Sequence, residues 1–107
     1  PNMVNAHHIL LDTPLDSLDA PIAFPNPFFE DFHLFVYGHY EEEITIRVFS
    51  LTYGMLNMIL EMPFYTTKGS FNSIPVTGMA NAPSGYYLVE VETPFEKYTV
   101  PVVKVNR

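Results

Sequence analysis

The stretch EITIRVFSL, residues 43–51, places an apolar side chain at every second position. One face carries Ile44, Ile46 and Val48, and the other carries Thr45, Arg47 and Phe49. A period of two with β-branched residues is typical of a strand that is buried on one face. We therefore predict a strand at 43–51 with its isoleucine face in the core.

The rest of the chain repeats this pattern. DFHLFVYG (31–38) and GYYLVEVE (85–92) alternate in the same way, the second with an acidic outer face. Ten prolines and five glycines leave few windows of helix length. We predict strands at 7–12, 20–24, 31–38, 43–51, 55–62, 71–76, 85–93 and 97–105. Short strands separated by turns predict an all-β fold, an immunoglobulin-like antiparallel β-sandwich of about seven strands.

Residues 50–62 include good helix formers, but Gly54 and the strand-like neighbours favour a strand. Pro101 has no amide donor, so the last strand is predicted to lie at a sheet edge or to break there. Residues 1–19 are predicted to be a linker or an extra edge strand, and 20–107 to be the sandwich domain.

Composition excludes several classes of function. The net charge is −7, from 12 acidic and 5 basic residues, which disfavours nucleic acid because phosphate contacts need lysine or arginine. No apolar run approaches the roughly 18 residues of a membrane-spanning helix. The absence of cysteine excludes disulfides, thiolate metal sites and a cysteine nucleophile.

The polar clusters do not predict catalysis or metal binding. The four histidines are His7, His8, His33 and His39, and adjacent histidines on a strand point to opposite faces. The acidic stretch 12–19 lacks the central glycine and the ligand spacing of a calcium loop. Residues 41–43 form a glutamate run of the kind that protects a strand edge. With no nucleophile elbow or phosphate loop, we predict no enzyme activity, no metal and no cofactor.

Tyrosines offer one further possibility. Six of them are candidates for a sugar-stacking platform: Tyr37, Tyr40, Tyr53, Tyr65, Tyr86 and Tyr87. Cross-strand pairs and a sandwich core use aromatic side chains as well. A carbohydrate-binding module therefore stays an alternative at this point.

The motif PNPF at residues 25–28 is predicted to be a structural corner. Each proline fixes its own φ and holds the residue before it extended, so the motif can be neither helical nor part of a regular ladder. Pro25, Asn26 and Pro27 are therefore expected to end the first strand. They are expected to aim Phe28 and Phe29 into the core.

The order of the motifs over residues 20–107 resembles the C-terminal sorting domain of type IX secretion cargo, the immunoglobulin-like Por secretion C-terminal domain. PNPF, then ITIRVFSLTYG (44–54), then PSGYYLVEV (83–91) follow that family's outline. Matching positions are Pro25, Asn26, Pro27, Phe28, Ile44, Ile46, Val48, Gly54, Gly85, Tyr87, Val89, Val91 and Lys104. The chain departs from the family at Met55, where a basic residue is usual, and at Pro101, near the usual lysine pair. An immunoglobulin-like module of flagellar hook-capping scaffolds shares PNPF and Gly-x-Tyr and stays a rival.

The resemblance implies a function without chemistry. Such a domain directs an exported protein through the periplasm and the outer membrane to the cell surface or beyond it. Its partner is a secretion translocon or shuttle protein at the outer membrane. The family places recognition in the last strands, which here carry Gly85, Tyr87, Val89, Val91, Val103, Lys104 and Val105. An unpaired final strand would offer its backbone to a receptor sheet, or to a second copy in an edge-strand homodimer. A passive immunoglobulin-like spacer stays a further alternative.

Overall fold

The computed structural model describes residues 20–106, which form seven strands and no helix. The strands are β1 (Ile22–Phe24), β2 (Phe32–Tyr37), β3 (Glu43–Thr52), β4 (Met55–Tyr65), β5 (Phe71–Val76), β6 (Gly85–Glu92) and β7 (Lys97–Lys104). Their bounds agree with the predicted strands to within a few residues. The helical alternative for 50–62 is wrong, because β4 continues as a strand to Tyr65. The predicted strand at 7–12 and the predicted linker at 1–19 lie outside the described residues.

Two antiparallel sheets make up the sandwich. One has three strands in the order β1-β2-β5, and the other has four in the order β4-β3-β6-β7. The crossovers that place β5 beside β2 and β6 beside β3 are those of an immunoglobulin-like sandwich. The predicted fold class is therefore confirmed.

The core lies between the two sheets and follows the alternation seen in the sequence. Ile44, Ile46 and Val48 of β3 are almost completely buried, as predicted. They pack with the inward residues of the other strands and with Phe28 and Met79. Burying an aliphatic side chain of this size stabilises the folded state by about 1.5–3 kcal/mol.

A tyrosine fixes the start of β6. The hydroxyl of Tyr87 donates a hydrogen bond to the carbonyl oxygen of Pro83, four residues earlier. Tyr87 is buried, and this burial raises the pKa of its hydroxyl above the ordinary value of 10.0. Sandwich domains use this arrangement, the tyrosine corner, to hold the connection that crosses between the sheets.

The β3–β4 hairpin turns through two residues with positive φ. Tyr53 has a φ of 52° and Gly54 a φ of 75°. Positive φ at both central positions defines a type I′ turn, which matches the twist of the flanking strands. Gly54 therefore has a structural role, in keeping with its place among the predicted structural positions.

Candidate functional site

The PNPF motif lies along the outer edge of β7. The Asn26 side chain donates from Nδ2 to the Pro101 carbonyl (3.1 Å) and accepts at Oδ1 from the Val103 amide (2.9 Å). Phe28 continues this contact: its amide donates to the Val103 carbonyl, and its carbonyl accepts from the Val105 amide, both at 2.9 Å. Residues 26–28 thus act as a short parallel partner strand, which we call the edge clamp.

The edge clamp corrects two predictions. The final strand is not an unpaired edge from Pro101 to Val105, because the chain leaves the three-stranded sheet after β1 and crosses to the four-stranded one. Phe28 reaches the core as predicted, whereas Phe29 is 42% exposed. The peptide bonds before Pro25 and Pro27 are both cis.

On each of the three longer edge strands, β4, β5 and β7, the ring nitrogen of one proline points away from the sheet at its outer edge. On β7, the Pro101 carbonyl points away from β6 and toward the edge clamp, so its ring nitrogen faces that outer edge of the sheet as well. Its prediction as an edge residue is confirmed by the strand order. Because a proline has no amide donor, it weakens any strand that would add beside it.

The orientation of the other two prolines follows from the pairing pattern of an antiparallel strand. Residues that bond the neighbouring strand alternate with residues whose backbone groups face the other way. The Thr66 amide donates to the Glu42 carbonyl, which puts Pro63 of β4 at an outward position. The Gly38 amide donates to the Ser70 carbonyl, which does the same for Pro75 of β5. The bulge in the β3–β4 pairing interrupts the β4 edge further. The edge-strand homodimer stays a prediction, and these features disfavour it.

Most of the predicted recognition residues on β6 point inward. Tyr87, Val89 and Val91 belong to the core. Lys104 is only 2% exposed, and its Nζ donates to Oδ1 of Asn106 at 3.3 Å. Their part in recognition stays a prediction, and in the folded domain a partner does not reach these side chains directly.

The other three predicted positions lie closer to the surface. Gly85 pairs with Lys104 and has a φ of 147°, a conformation that side chains rarely adopt. Val103 and Val105 are half-buried, and the backbone of each is bonded to the edge clamp. Val103 is the predicted recognition residue that points to the outer face of the sheet.

That outer face carries an exposed apolar surface that the sequence patterns do not predict. The cross-strand pairs Phe49–Met58, Phe49–Leu88 and Leu88–Pro101 form one row, and the pairs Leu51–Leu56 and Tyr86–Val103 form the next. We call these eight residues the apolar platform. Tyr86 is 68% exposed, and Met58, Leu56 and Leu51 are each about half exposed. Such a surface on an otherwise polar face marks a site of interaction.

An ion cluster borders the apolar platform. The guanidinium of Arg47 donates to Glu61 (2.8 Å), Glu90 (2.8 Å) and Glu92 (2.7 Å). These bonds hold the pKa of the Glu92 carboxyl below its ordinary value and raise that of Arg47. Lys97 Nζ lies 3.9 Å from Glu90. The border therefore carries one more negative than positive charge.

The glutamate run at 41–43 does not protect an edge. It leads into β3, whose first residue is Glu43 and which lies inside the four-stranded sheet between β4 and β6. The edge-protecting interpretation is therefore wrong, since it assumed an outer strand. The six tyrosines do not share one surface either: Tyr53 is at the hairpin tip, Tyr86 on the apolar platform and Tyr87 in the core.

Residues 20–106 present neither a metal-binding cluster nor a membrane-spanning helix. That range contains no group of three or more metal-binding side chains placed to share an ion. His7, His8 and the acidic stretch 12–19 fall outside it. It also contains no helix with the length and apolar character to cross a bilayer.

Comparison with known proteins gives no match to a protein-family model, a curated protein or a solved structure. The fold is therefore described by its own strand order. The resemblance to a sorting domain depends on the order of its motifs alone.

Proposed function

We propose that this chain is a non-catalytic sorting domain that directs an exported protein across the outer membrane to the cell surface. The ordered motifs of residues 20–107 support this proposal. The observation that carries it is that β6 and β7, where the family places recognition, contribute half of the apolar platform: Tyr86, Leu88, Pro101 and Val103. The C-terminal strands thus offer a partner an exposed face.

The receptor would dock on this face of the four-stranded sheet and would not add a strand to its edge. Outward prolines weaken strand addition at the β4 and β7 edges, and the edge clamp covers much of the β7 edge. The ion cluster at the border has an excess of carboxylates, so the complementary surface is apolar at its centre and basic at its rim. We expect a translocon or shuttle protein of that character.

The size of the apolar platform favours a transient complex. Two rows across four strands cover on the order of 300 Å² at ordinary strand spacing. A stable interface needs about 800 Å² per partner. A small contact suits a signal that must be released after translocation.

A secretion assay tests the proposal. Residues 20–107 are fused to a periplasmic reporter in a host with type IX machinery, and surface and medium fractions are assayed. Wild type is expected to be exported, and Tyr86→Ser combined with Met58→Ser is expected to reduce export about tenfold with an unchanged melting temperature. Ile22→Ser is the control, since it removes an exposed apolar side chain from the other sheet.

Two results would contradict the proposal. One is a wild-type fusion that stays in the periplasm. The other is export of the Tyr86/Met58 double variant at the wild-type level, which would show that the apolar platform takes no part. No export together with no partner would instead favour a passive spacer.

A further inference from the structure

A cavity of about 260 Å³ opens at one end of the sandwich, where the β2–β3, β4–β5 and β6–β7 connections meet. Five ring-bearing residues line it: Tyr37, His39, Tyr40, Phe95 and Tyr98. We call it the aromatic cavity. None of its residues belongs to the apolar platform, and neither the packing of the core nor the proposed function accounts for it.

Two of its rings meet at the surface. Tyr40 precedes β3 and Phe95 lies between β6 and β7, yet their ring centroids are 5.4 Å apart and their planes are tilted by 47°. Tyr40 is 53% exposed and Phe95 is 71% exposed. Tyr37 packs edge-on against His39 with ring centroids 4.9 Å apart. The cavity is thus open and is bounded by ring surface.

Carboxylates share this lining. Glu42 and Glu96 both line the aromatic cavity, and Glu41 and Glu43 flank the first of them. The ion pairs found within residues 20–106 use other carboxylates, those of Glu61 and of β6. No lysine or arginine is among the described residues that line the cavity. Its potential is therefore negative.

Hydrogen bonds hold one wall of the aromatic cavity, the segment 40–42, in place. Thr66 is buried beneath it, and its Oγ1 lies 2.7 Å from the Tyr40 carbonyl and 3.1 Å from the Glu42 carbonyl as a donor. The same oxygen accepts from the Glu42 amide at 3.3 Å. The segment that carries Tyr40 and Glu42 is thereby fixed from below.

A turn closed by the side chain of Thr93 holds the opposite wall of the aromatic cavity, residues 93–96. Thr93 Oγ1 accepts from the amides of Phe95 (3.1 Å) and Glu96 (2.9 Å). The Thr93 amide also donates to the Glu96 carbonyl at 2.8 Å. Since both walls are fixed, a ligand would not have to order them, which lowers the cost of binding.

We propose that the aromatic cavity binds a cationic group, an alkylammonium or a guanidinium, such as the end of a lysine or arginine side chain. A cation gains from ring faces within about 6 Å and from nearby carboxylates together. An anion would be repelled, and a neutral sugar would leave the carboxylates without a partner of opposite charge. The volume suits one head group more than a whole drug-sized ligand. This inference does not depend on the proposed secretion role.

A titration followed by nuclear magnetic resonance tests it. Pentapeptides with a central lysine, arginine or acetyl-lysine are titrated into the labelled protein, and choline is titrated separately. The lysine and arginine peptides are expected to shift the Tyr40, Thr93 and Phe95 amides in a saturable and salt-sensitive way. Acetyl-lysine is expected to shift none of them. Stronger binding of the peptides than of choline would assign the cation to a protein partner, and the reverse to a small ammonium compound.

Matched variants distinguish the contribution of the aromatic rings to binding from that of the carboxylates. Phe95→Ala and the pair Glu42→Gln with Glu96→Gln are each expected to weaken peptide binding about tenfold. Tyr53→Ala is the control, because that ring is fully in solvent at the hairpin tip. Binding of acetyl-lysine as tight as that of lysine would overturn the proposal, as would no binding of any cation. Saturable glycan binding that Phe95→Ala abolishes, without cation binding, would overturn it in favour of a sugar site.

Discussion

Asn26 and Val103, which lie 77 residues apart in sequence, are joined by a 2.9 Å hydrogen bond from the Val103 amide to Asn26 Oδ1. The same side chain donates back to the Pro101 carbonyl. The first motif of the domain and its last strand are therefore one structural unit. From the sequence alone the two are expected to have separate roles, a corner at one end and a recognition strand at the other.

We expect Asn26→Ala to release the last strand. The substitution removes both side-chain hydrogen bonds of the edge clamp, and each is worth about 1 kcal/mol at a partly solvated site. The free energy of unfolding should fall by about 1–2 kcal/mol in urea denaturation. Amide hydrogen exchange at Val103 should accelerate more than at Val89, which pairs with β7 from the central side.

Asn81→Ala is the matched control for the edge clamp. Asn81 is exposed, and no hydrogen bond of its side chain occurs within residues 20–106. An Asn26 variant that is no less stable than the Asn81 variant would show that the clamp contributes nothing.

The strands were predictable because their signal is local. Ile44, Ile46 and Val48 alternate along one strand. This alternation indicates which face of the strand is buried, whichever strands lie beside it. The order of the strands is not local. Nothing near Asn26 in sequence indicates that its side chain meets the backbone of Val103.

The surfaces were missed for the same reason. Phe49 and Leu88 become neighbours only when β3 pairs with β6. The three glutamates around Arg47 come from two different strands, so the acidic face of β6 is neutralised in part by a residue from β3. The position of Pro101 was predictable because a missing donor restricts a strand regardless of its partners.

Tyr87→Phe should destabilise the domain in a pH-dependent way. At neutral pH the lost bond to Pro83 is expected to lower the free energy of unfolding by about 1 kcal/mol. Burial raises the pKa of Tyr87 above 10.0 in the folded state, so its contribution is complete below pH 10 and declines as the pH rises through the folded pKa. The stability gap between wild type and Tyr87→Phe should therefore narrow above pH 10.

Tyr86→Phe is the control for this prediction. Tyr86 is the neighbouring residue on the opposite face, and its side chain is mostly in solvent. Its variant is expected to match wild type at neutral pH. An equal loss in both variants would rule out a specific role for the tyrosine corner.

Gly38→Ala should be among the most damaging single-methyl changes in the domain. A Cβ at Gly38 would lie 2.0 Å from the Thr67 carbonyl oxygen and 2.9 Å from Nδ2 of Asn72. Asn72 is buried, and its side chain is hydrogen-bonded to the backbone of Thr67 and Val36, so neither neighbour can move without breaking hydrogen bonds. We expect a loss of about 2–3 kcal/mol in the free energy of unfolding.

Gly54→Asn provides the comparison for Gly38. Position 54 has open space around it, and asparagine tolerates its left-handed backbone, so the expected loss is about 1 kcal/mol or less. Chemical denaturation of both variants gives the ranking. A Gly38 variant that is as stable as the Gly54 variant would contradict the predicted clash.

Arg47→Met should change how stability depends on pH. At neutral pH the variant leaves Glu61, Glu90 and Glu92 close together without their shared cation, so it is expected to be less stable than wild type. Arg47 lowers the pKa of Glu92 below its ordinary value of 4.5, so the contribution of that carboxylate is present above pH 4.5 and is lost as the pH falls through the folded pKa. Thermal unfolding measured from pH 7 to pH 2 should show the two proteins converging below pH 4.5.

Lys97→Met, which removes a more exposed cation 3.9 Å from Glu90, should show a smaller gap that also closes on acidification. A gap for Arg47→Met that stays constant down to pH 2 would mean that Arg47 stabilises the sheet through packing of its aliphatic stem and not through its charge.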